Sequence, residues 1–185
     1  MKKVILLGDS IRQIGYGAKV EELLKDEYTV WQPNDNCRYS LYTLRCLFDW
    51  SRNMHGADII HWNNGMWDLS DLYGEGRLVS VEDYVRTMLR IHEVMSRYTK
   101  NIIFATTTPV REPYQYQNNA VVKMYNAAIV PELKARGVRI NDLYSFIEPH
   151  IDEYIRDDDR LHLTETGISH VAPEVARVIR EADNK

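Results

Sequence analysis

A serine near the start of the chain and an aspartate–histidine pair near its end could together perform nucleophilic chemistry. Ser10 follows an apolar run in the segment VILLGDS, and Asp159 and His162 lie in the segment DDDRLHLTETG. A serine hydroxyl is a weak nucleophile at neutral pH and needs an imidazole to take its proton. A carboxylate beside that imidazole fixes its tautomer and stabilises the imidazolium. The spacing therefore predicts that Ser10 is a nucleophile, His162 its base and Asp159 the acid that orients the base.

Such chemistry also needs hydrogen-bond donors that await the tetrahedral oxyanion, commonly backbone N–H groups and a side-chain amide. Asn63 ends a third apolar run in the segment HWNNGMWD and is the predicted amide donor, with Asn64 as the alternative. The N–H of Ser10 is the predicted backbone donor beside it. Each signal has a structural alternative: a serine after a strand is commonly a helix N-cap, and NNG is typical of a turn.

Short apolar runs alternate with helical periodicity along the chain, which places the candidate residues. Several runs are apolar on both faces, as strands between two helix layers must be. The predicted strands are Lys3–Leu7, Tyr28–Gln32, Asp58–Trp62, Asn101–Thr106 and Val138–Asp142. We expect an α/β fold with a five-stranded parallel sheet in three α/β/α layers, forming one domain over residues 1–185. Ligands bind beyond the carboxyl ends of parallel strands, where all the candidate residues lie.

Three of the helices can be placed from sequence signals. One opens at Ser80, with Asp83 three residues on as its partner in a cap. A second runs near 121–136, is disturbed at Pro131 and closes at Gly137. The last lies near 168–182.

Composition excludes several classes of function. The formal net charge is −4 and no basic run is present, which disfavours nucleic-acid and membrane-surface partners. The amino-terminal apolar run stops at Gly8, too early for a signal peptide, so a cytoplasmic location is predicted. Cys37 and Cys46 form no CxxC pair and are expected to be reduced. Neither a metal nor a cofactor is expected, because the His and Asp residues show no metal-ligand spacing.

The combination of GDS near the amino terminus with DxxH near the carboxyl terminus resembles the SGNH, or GDSL, hydrolases. The two motifs bracket nearly the whole chain. This resemblance implies a flavodoxin-like fold and ester hydrolysis without a cofactor. It also assigns Ser10, Asp159 and His162 the same roles that their chemistry suggests.

Two blocks depart from the family pattern. Where the family has Gly-x-Asn-Asp, this chain has Gly65-Met66-Trp67-Asp68, and Asn63 is similar to the asparagine of a subgroup with the form HWNxGxWD. The block that usually offers a glycine N–H reads NDNCRYS and contains no glycine. The third oxyanion donor is then expected to be the N–H of Cys37 or Arg38.

Four residues are further candidates for substrate binding, each with a structural alternative: Asp9, Arg12, Asn64 and Trp67. Aromatic side chains near the candidate site, including Trp67, Tyr114 and Tyr116, favour a carbohydrate ester because sugar faces stack on aromatic rings. The alternative is that tryptophans 62 and 67 fill the core. Arg12 could meet an anionic group at the rim or be solvated, and Asp9 could hold the turn.

The sequence thus predicts an esterase for a small ester, acetyl above all. Two alternatives remain open: a non-catalytic flavodoxin-like module that binds an anion or other ligand, and an acyltransferase using the same three residues. The expected partner is a small-molecule ester such as an acetylated sugar. A homo-oligomer is compatible with exposed aromatic residues, although no segment specifies an interface.

Overall fold

Five parallel strands form one sheet in the order β2-β1-β3-β4-β5. The structure is a computed structural model and describes residues 1–184. The strands are β1 (Lys2–Leu7), β2 (Tyr28–Trp31), β3 (Ile59–Trp62), β4 (Ile102–Ala105) and β5 (Arg139–Asn141). Each lies within two residues of its predicted bounds, so the predicted parallel α/β sheet is confirmed.

Eight helices cover the sheet and connect its strands within the described residues. They are α1 (Gly17–Leu24), α2 (Ser40–Asp49), α3 (Ser51–Met54), α4 (Val81–Met95), α5 (Asn119–Lys134), α6 (Leu143–Ile147), α7 (Ile151–Tyr154) and α8 (Glu165–Asp183). An irregular helical segment, Ile11–Tyr16, joins β1 to α1, and a single turn, Glu148–His150, joins α6 to α7. Every helix in residues 1–184 is too short or too polar to cross a membrane.

Alternate residues of the central strands face opposite helix layers, which is why these strands are apolar on both sides. One core lies on the side of α2, α4 and α5, and its strand residues are Ile5, Leu7, Ile60, Trp62, Ile102 and Phe104. The other lies on the side of α1 and α8, and its strand residues are Val4, Leu6, Ile59, Ile103 and Ala105. Burial on both faces makes the carboxyl edge of the sheet a fixed platform.

Local side-chain bonds set where the predicted helices begin. Ser80 Oγ accepts the N–H of Asp83 at 3.1 Å, which confirms the predicted cap of α4. Helix α5 starts two residues before the predicted position, because Asn118 caps it by accepting the N–H of Val121 at 3.1 Å. Thr164 likewise caps α8, so this helix begins at Glu165, three residues before the predicted start. Cys37 and Cys46 are free and buried.

Candidate active site

Ser10, His162 and Asp159 form a continuous hydrogen-bonded chain at the carboxyl edge of the sheet. His162 Nε2 lies 2.8 Å from Ser10 Oγ, and His162 Nδ1 lies 2.9 Å from Asp159 Oδ2. Both distances are those of direct hydrogen bonds. The side chains of His162 and Asp159 are 22% and 34% exposed, so solvent reaches the chain. The fold therefore joins residues 152 positions apart in an arrangement suited to proton transfer from the serine.

The turn after β1 presents Ser10 without using it as a cap. Ser10 has helical dihedrals (φ −62°, ψ −26°) and its side chain makes no capping bond. Asp9 supports the turn instead: its Oδ1 accepts the N–H of Ile11 at 2.9 Å, and its carbonyl accepts the N–H groups of Arg12 and Gln13. Burial raises the pKa of the Asp9 carboxyl. Asp9 is only 1% exposed, which agrees with the structural alternative in which it holds the turn, and substrate binding by Asp9 stays a prediction.

Gly8 allows the loops after β1 and β3 to approach closely. A Cβ at this position would lie 2.1 Å from Asn63 Oδ1 and 2.8 Å from Arg12 Cβ. The Gly8 N–H donates to Cys37 Sγ at 3.1 Å, which ties the same turn to the segment after β2. Glycine is thus required here by space, and it brings Asn63 beside the residues that lead to Ser10.

Arg12 is a buried clamp, and the prediction that it meets substrate or solvent at the rim is wrong. It is 1% exposed. Its guanidinium donates to the carbonyls of Gly8, Pro33 and Asp35 at 3.1, 2.9 and 2.7 Å. Buried carbonyls need donors, and a planar guanidinium can serve several of them at once. The side chain therefore turns inward and joins the loops that follow β1 and β2.

Asp159 organises its own loop as well as the imidazole. Its Oδ1 accepts the N–H of Leu161 at 3.0 Å and the N–H of His162 at 2.9 Å, while Oδ2 faces the ring. Burial alone would raise the pKa of this carboxyl, but the two backbone bonds and the His162 ring outweigh burial and lower the pKa below its ordinary 3.8. Asp159 is therefore an anion at neutral pH, as an orienting acid must be.

The two asparagines after β3 differ in what their side chains already bind. Asn64 is fully buried, and its Oδ1 accepts from Trp62 Nε1 while its Nδ2 donates to the Arg38 carbonyl, both at 2.8 Å. Both ends of its amide are thus occupied, and Asn64 holds two loops together. Substrate binding by Asn64 and its role as the alternative oxyanion donor stay predictions, and both would have to use the second N–H of Nδ2. Asn63 is 3% exposed, and its Oδ1 has no hydrogen-bond partner among the described residues.

The two proposed backbone donors after β2 also differ. The N–H of Cys37 donates to the Gly8 carbonyl at 3.1 Å, inside the protein, so Cys37 is unsuited to an oxyanion. Burial raises the pKa of its thiol to about 12. Arg38 has a left-handed backbone (φ 50°), a conformation that favours glycine, and its N–H bonds the nearby Asn36 Oδ1 at 2.8 Å. Arg38 thus has the backbone shape expected where the family has glycine.

Asp68 has a structural role that the sequence analysis did not assign. It is fully buried and accepts both the N–H and the hydroxyl of Ser40, at 2.9 and 2.5 Å, at the start of α2. Burial raises its pKa to about 6. In the sequence, the only signal for this structural role of Asp68 is the WD motif to which it belongs. Asp68 and Asn64 together fix the loop after β3 against the segment that contains Arg38.

The remaining candidates separate into core and surface. Trp62 is fully buried and packs against Phe104, whereas Trp67 is 38% exposed. His61 is fully buried, and burial lowers its pKa to about 3. In residues 1–184 the structure contains no group of three His, Cys, Asp or Glu side chains that could hold a metal ion.

Comparison with known proteins supports the resemblance drawn from the motifs. No protein-family model matches the chain. It is 30% identical over 125 residues to GDSL esterase/lipase CPRD49 of Arabidopsis thaliana, an alignment covering 60% of this chain. The chain spans about half of that relative's length (48%).

Solved structures share the whole fold at low sequence identity. An acetyl xylan esterase, AlAXEase, superposes with a TM-score of 0.80 at 17% identity, covering 96% of this chain and 99% of the other. A lipase/acylhydrolase from Enterococcus faecalis superposes with a TM-score of 0.78 at 21% identity, covering 98% of this chain and 96% of the other. Axe2, an acetylxylan esterase from Geobacillus stearothermophilus, superposes with a TM-score of 0.77 at 17% identity, covering 95% of this chain and 93% of the other. The similarity to GDSL and SGNH hydrolases and the three-layer fold expected from it are confirmed.

Proposed function

We propose that this protein is a serine esterase that hydrolyses small esters, acetyl esters above all, through an acyl-enzyme on Ser10. The observation that carries the proposal is the hydrogen-bonded chain from Ser10 Oγ through the His162 ring to Asp159, with contacts of 2.8 and 2.9 Å. An anion-binding module would have no use for an imidazole held in this way. The proposal also agrees with the similarity to esterases.

In the first half-reaction, His162 Nε2 takes the proton of Ser10 as Oγ attacks the ester carbonyl. Asp159 holds the ring through Nδ1 and stabilises the imidazolium that forms. The imidazolium then gives the proton to the departing alcohol oxygen, and the acyl group remains on Ser10. In the second half-reaction, His162 takes a proton from water, the hydroxide attacks the acyl-enzyme, and Ser10 regains its proton as the acid leaves.

Three groups are proposed to hold the oxyanion. The Ser10 N–H lies at the start of a helical segment, where the first N–H groups have no intrahelical acceptor. Asn63 is the side-chain donor, since Asn64 is committed to Trp62 and Arg38. The N–H of Arg38 is the third donor, because its acceptor Asn36 lies on an exposed local turn and can release it.

The proposed substrate is an acetylated carbohydrate. Two of the structural relatives named above are acetyl xylan esterases, and the partly exposed triad can accept an ester attached to a bulky alcohol. The cytoplasmic location and the homo-oligomeric state predicted from the sequence remain predictions. Cell fractionation and analytical ultracentrifugation test them.

Hydrolysis of p-nitrophenyl acetate by the wild type, Ser10→Ala and His162→Ala tests the assignment. We expect each variant to lose at least about a hundredfold in kcat/KM, because the nucleophile and its base act as one unit. Chelation by EDTA should leave the wild-type rate unchanged.

The chain supplies a matched control on the surface of α8. Ser169 and His170 are both exposed, and their side chains lie 3.2 Å apart with no carboxylate completing the chain. Ser169→Ala and His170→Ala should retain full activity. An inactive wild type, or an undiminished Ser10→Ala variant, would refute the esterase proposal and favour the ligand-binding module.

A further inference from the structure

A polar cavity of about 480 Å³ lies between the loop after β3 and the loop after β4. Its lining includes Asp71, Arg77, Tyr114, Tyr116 and Gln117, and we call it the Tyr114 cavity. The volume falls in the range of about 300–1,000 Å³ that is typical of small-molecule sites. None of these residues belongs to the catalytic chain described above.

The Tyr114 cavity adjoins the loop that carries Asp159 and His162. Arg160 is the residue after Asp159, and the Arg160 carbonyl accepts the N–H of Arg111 at 3.0 Å. Its guanidinium donates to the Pro113 carbonyl at 3.1 Å. Burial raises the pKa of the Tyr114 phenol, and the charge of Asp159 adds to that rise. Tyr114 thus lines the cavity and also lies within the electrostatic influence of the catalytic acid.

Backbone and side-chain bonds hold the walls of the cavity together. The Tyr116 carbonyl accepts the N–H of Asp71 at 2.9 Å and Arg77 Nη1 at 3.2 Å, which joins the two loops. The rings of Tyr114 and Tyr116 meet at 79° with centroids 5.5 Å apart. They form an aromatic corner next to polar groups, a combination that a shaped binding site requires.

The polar groups of the cavity fit a neutral polyhydroxylated ligand. Arg77 forms no ion pair within residues 1–184, and one of its N–H groups already bonds Tyr116, so the others remain as donors. Asp71 uses Oδ1 to accept the N–H of Gly74 at 2.7 Å and offers its other oxygen as an acceptor. A hydroxyl both donates and accepts and can satisfy both groups, whereas an anionic ligand would be repelled by Asp71.

We infer that the Tyr114 cavity binds a neutral sugar ring adjacent to the ring whose acetyl ester is cleaved at Ser10. The apolar C–H face of the ring packs in the aromatic corner, while its hydroxyls bond Asp71 and Arg77. This inference rests on the proposed esterase function. It makes the cavity a specificity subsite that favours esters on oligosaccharides over esters on single sugars.

The test compares acetylated xylotriose with acetylated xylose as substrates. We expect the wild type to show a kcat/KM at least about tenfold higher for the trisaccharide, since an added subsite contact worth about 1.4 kcal/mol gives that factor. Arg77→Met and Tyr116→Ala should reduce the ratio towards one by raising KM for the trisaccharide. Arg86→Met and Tyr98→Ala, on and just after helix α4, are controls that should leave the ratio unchanged. A wild-type ratio near one, or an unchanged ratio in both subsite variants, would overturn the subsite.

A binding measurement separates failure of the subsite from failure of the esterase. Calorimetry with Ser10→Ala and unacetylated xylotriose should show binding that Arg77→Met weakens about tenfold or more. Hydrolysis of p-nitrophenyl acetate without such binding would leave the esterase standing and overturn the subsite. Binding without hydrolysis would sustain the subsite and refute the esterase. Tighter binding of a uronic-acid trisaccharide than of xylotriose would contradict the neutral ligand.

Discussion

The two sides of the proposed catalytic chain, the Ser10 turn and the His162 loop, are held in opposite ways. The nucleophile turn is anchored inside the protein, where Arg12 donates to three carbonyls and Cys37 Sγ accepts the N–H of Gly8. The loop of His162 lies at the surface, where Asp159 folds its own backbone and Arg156 Nε donates to Asp158 at 2.9 Å. One side depends on buried bonds between distant loops. On the other side the bonds of Asp159 and Arg156 join near neighbours, and the bond from Arg160 to the distant Pro113 is exposed.

This difference has an energetic consequence. A buried hydrogen-bond partner costs free energy when it is left unpaired, whereas exposed ion pairs contribute little because water replaces them. Damage to the nucleophile side should therefore reduce the stability of the whole domain. Damage to the base side should reduce catalysis and leave the fold largely unchanged.

The largest expected effect on activity is at the base side. Asp159→Asn keeps the shape of the side chain but removes the charge that stabilises the imidazolium. We expect kcat to fall by about 10³- to 10⁴-fold, the scale of such losses in serine hydrolases with a related triad. Steady-state kinetics with p-nitrophenyl acetate measures the loss.

Stability measured against pH shows whether this residue acts as an anion. The lowered pKa of Asp159 means that its carboxylate stabilises the fold above pH 3.8, and that this contribution disappears as the pH falls through the lowered value. Wild type and Asp159→Asn should therefore differ more at pH 7 than at pH 3. A difference that grows on acidification would contradict the lowered pKa.

The next effect is on the nucleophile side and concerns stability. Arg12→Met removes a donor from three carbonyls, of which only that of Gly8 keeps another donor among the described residues, the N–H of Cys37, and it removes the charge that counteracts the raised pKa of Asp9. We expect a loss of about 3 kcal/mol in the free energy of unfolding, measured by urea denaturation. Arg45→Met removes an exposed arginine of α2 and should leave the urea midpoint unchanged. Equal urea midpoints for Arg12→Met and Arg45→Met would contradict the view that buried bonds on the nucleophile side hold the fold together.

The smallest effect is expected at Arg156, which is exposed, pairs with Asp158 and lies 3.5 Å from Asp159 Oδ2. Arg156→Gln should change kcat/KM by no more than about fivefold, because an exposed ion pair is largely screened by water. Thermal unfolding should give a midpoint close to that of the wild type. A large loss of activity would show that the base loop depends on its surface charges as well as on Asp159.

Much of the fold was readable from local patterns. The five strands were predicted within two residues because burial on both faces leaves a clear apolar signature, and the cap of α4 was predicted from Ser80 and Asp83. Apolar periodicity places the starts of α5 and α8 two and three residues late, because these helices begin at their caps, Asn118 and Thr164, ahead of the apolar residues that define the period. Arg12 was misjudged because its acceptors come from distant loops.

The sequence by itself determined the order of the strands along the chain, the edge at which reactive residues gather, and the types of those residues. These properties follow from hydrophobic periodicity and from the chemistry of serine, histidine and aspartate, which act over a few positions. Only the tertiary structure showed that the Asn64 amide bonds Trp62 and Arg38, that the N–H of Cys37 bonds the Gly8 carbonyl, and that Arg12 is buried. Each of these contacts depends on a hydrogen-bond partner that another part of the fold supplies to the side chain or N–H group. No local sequence pattern contains that information.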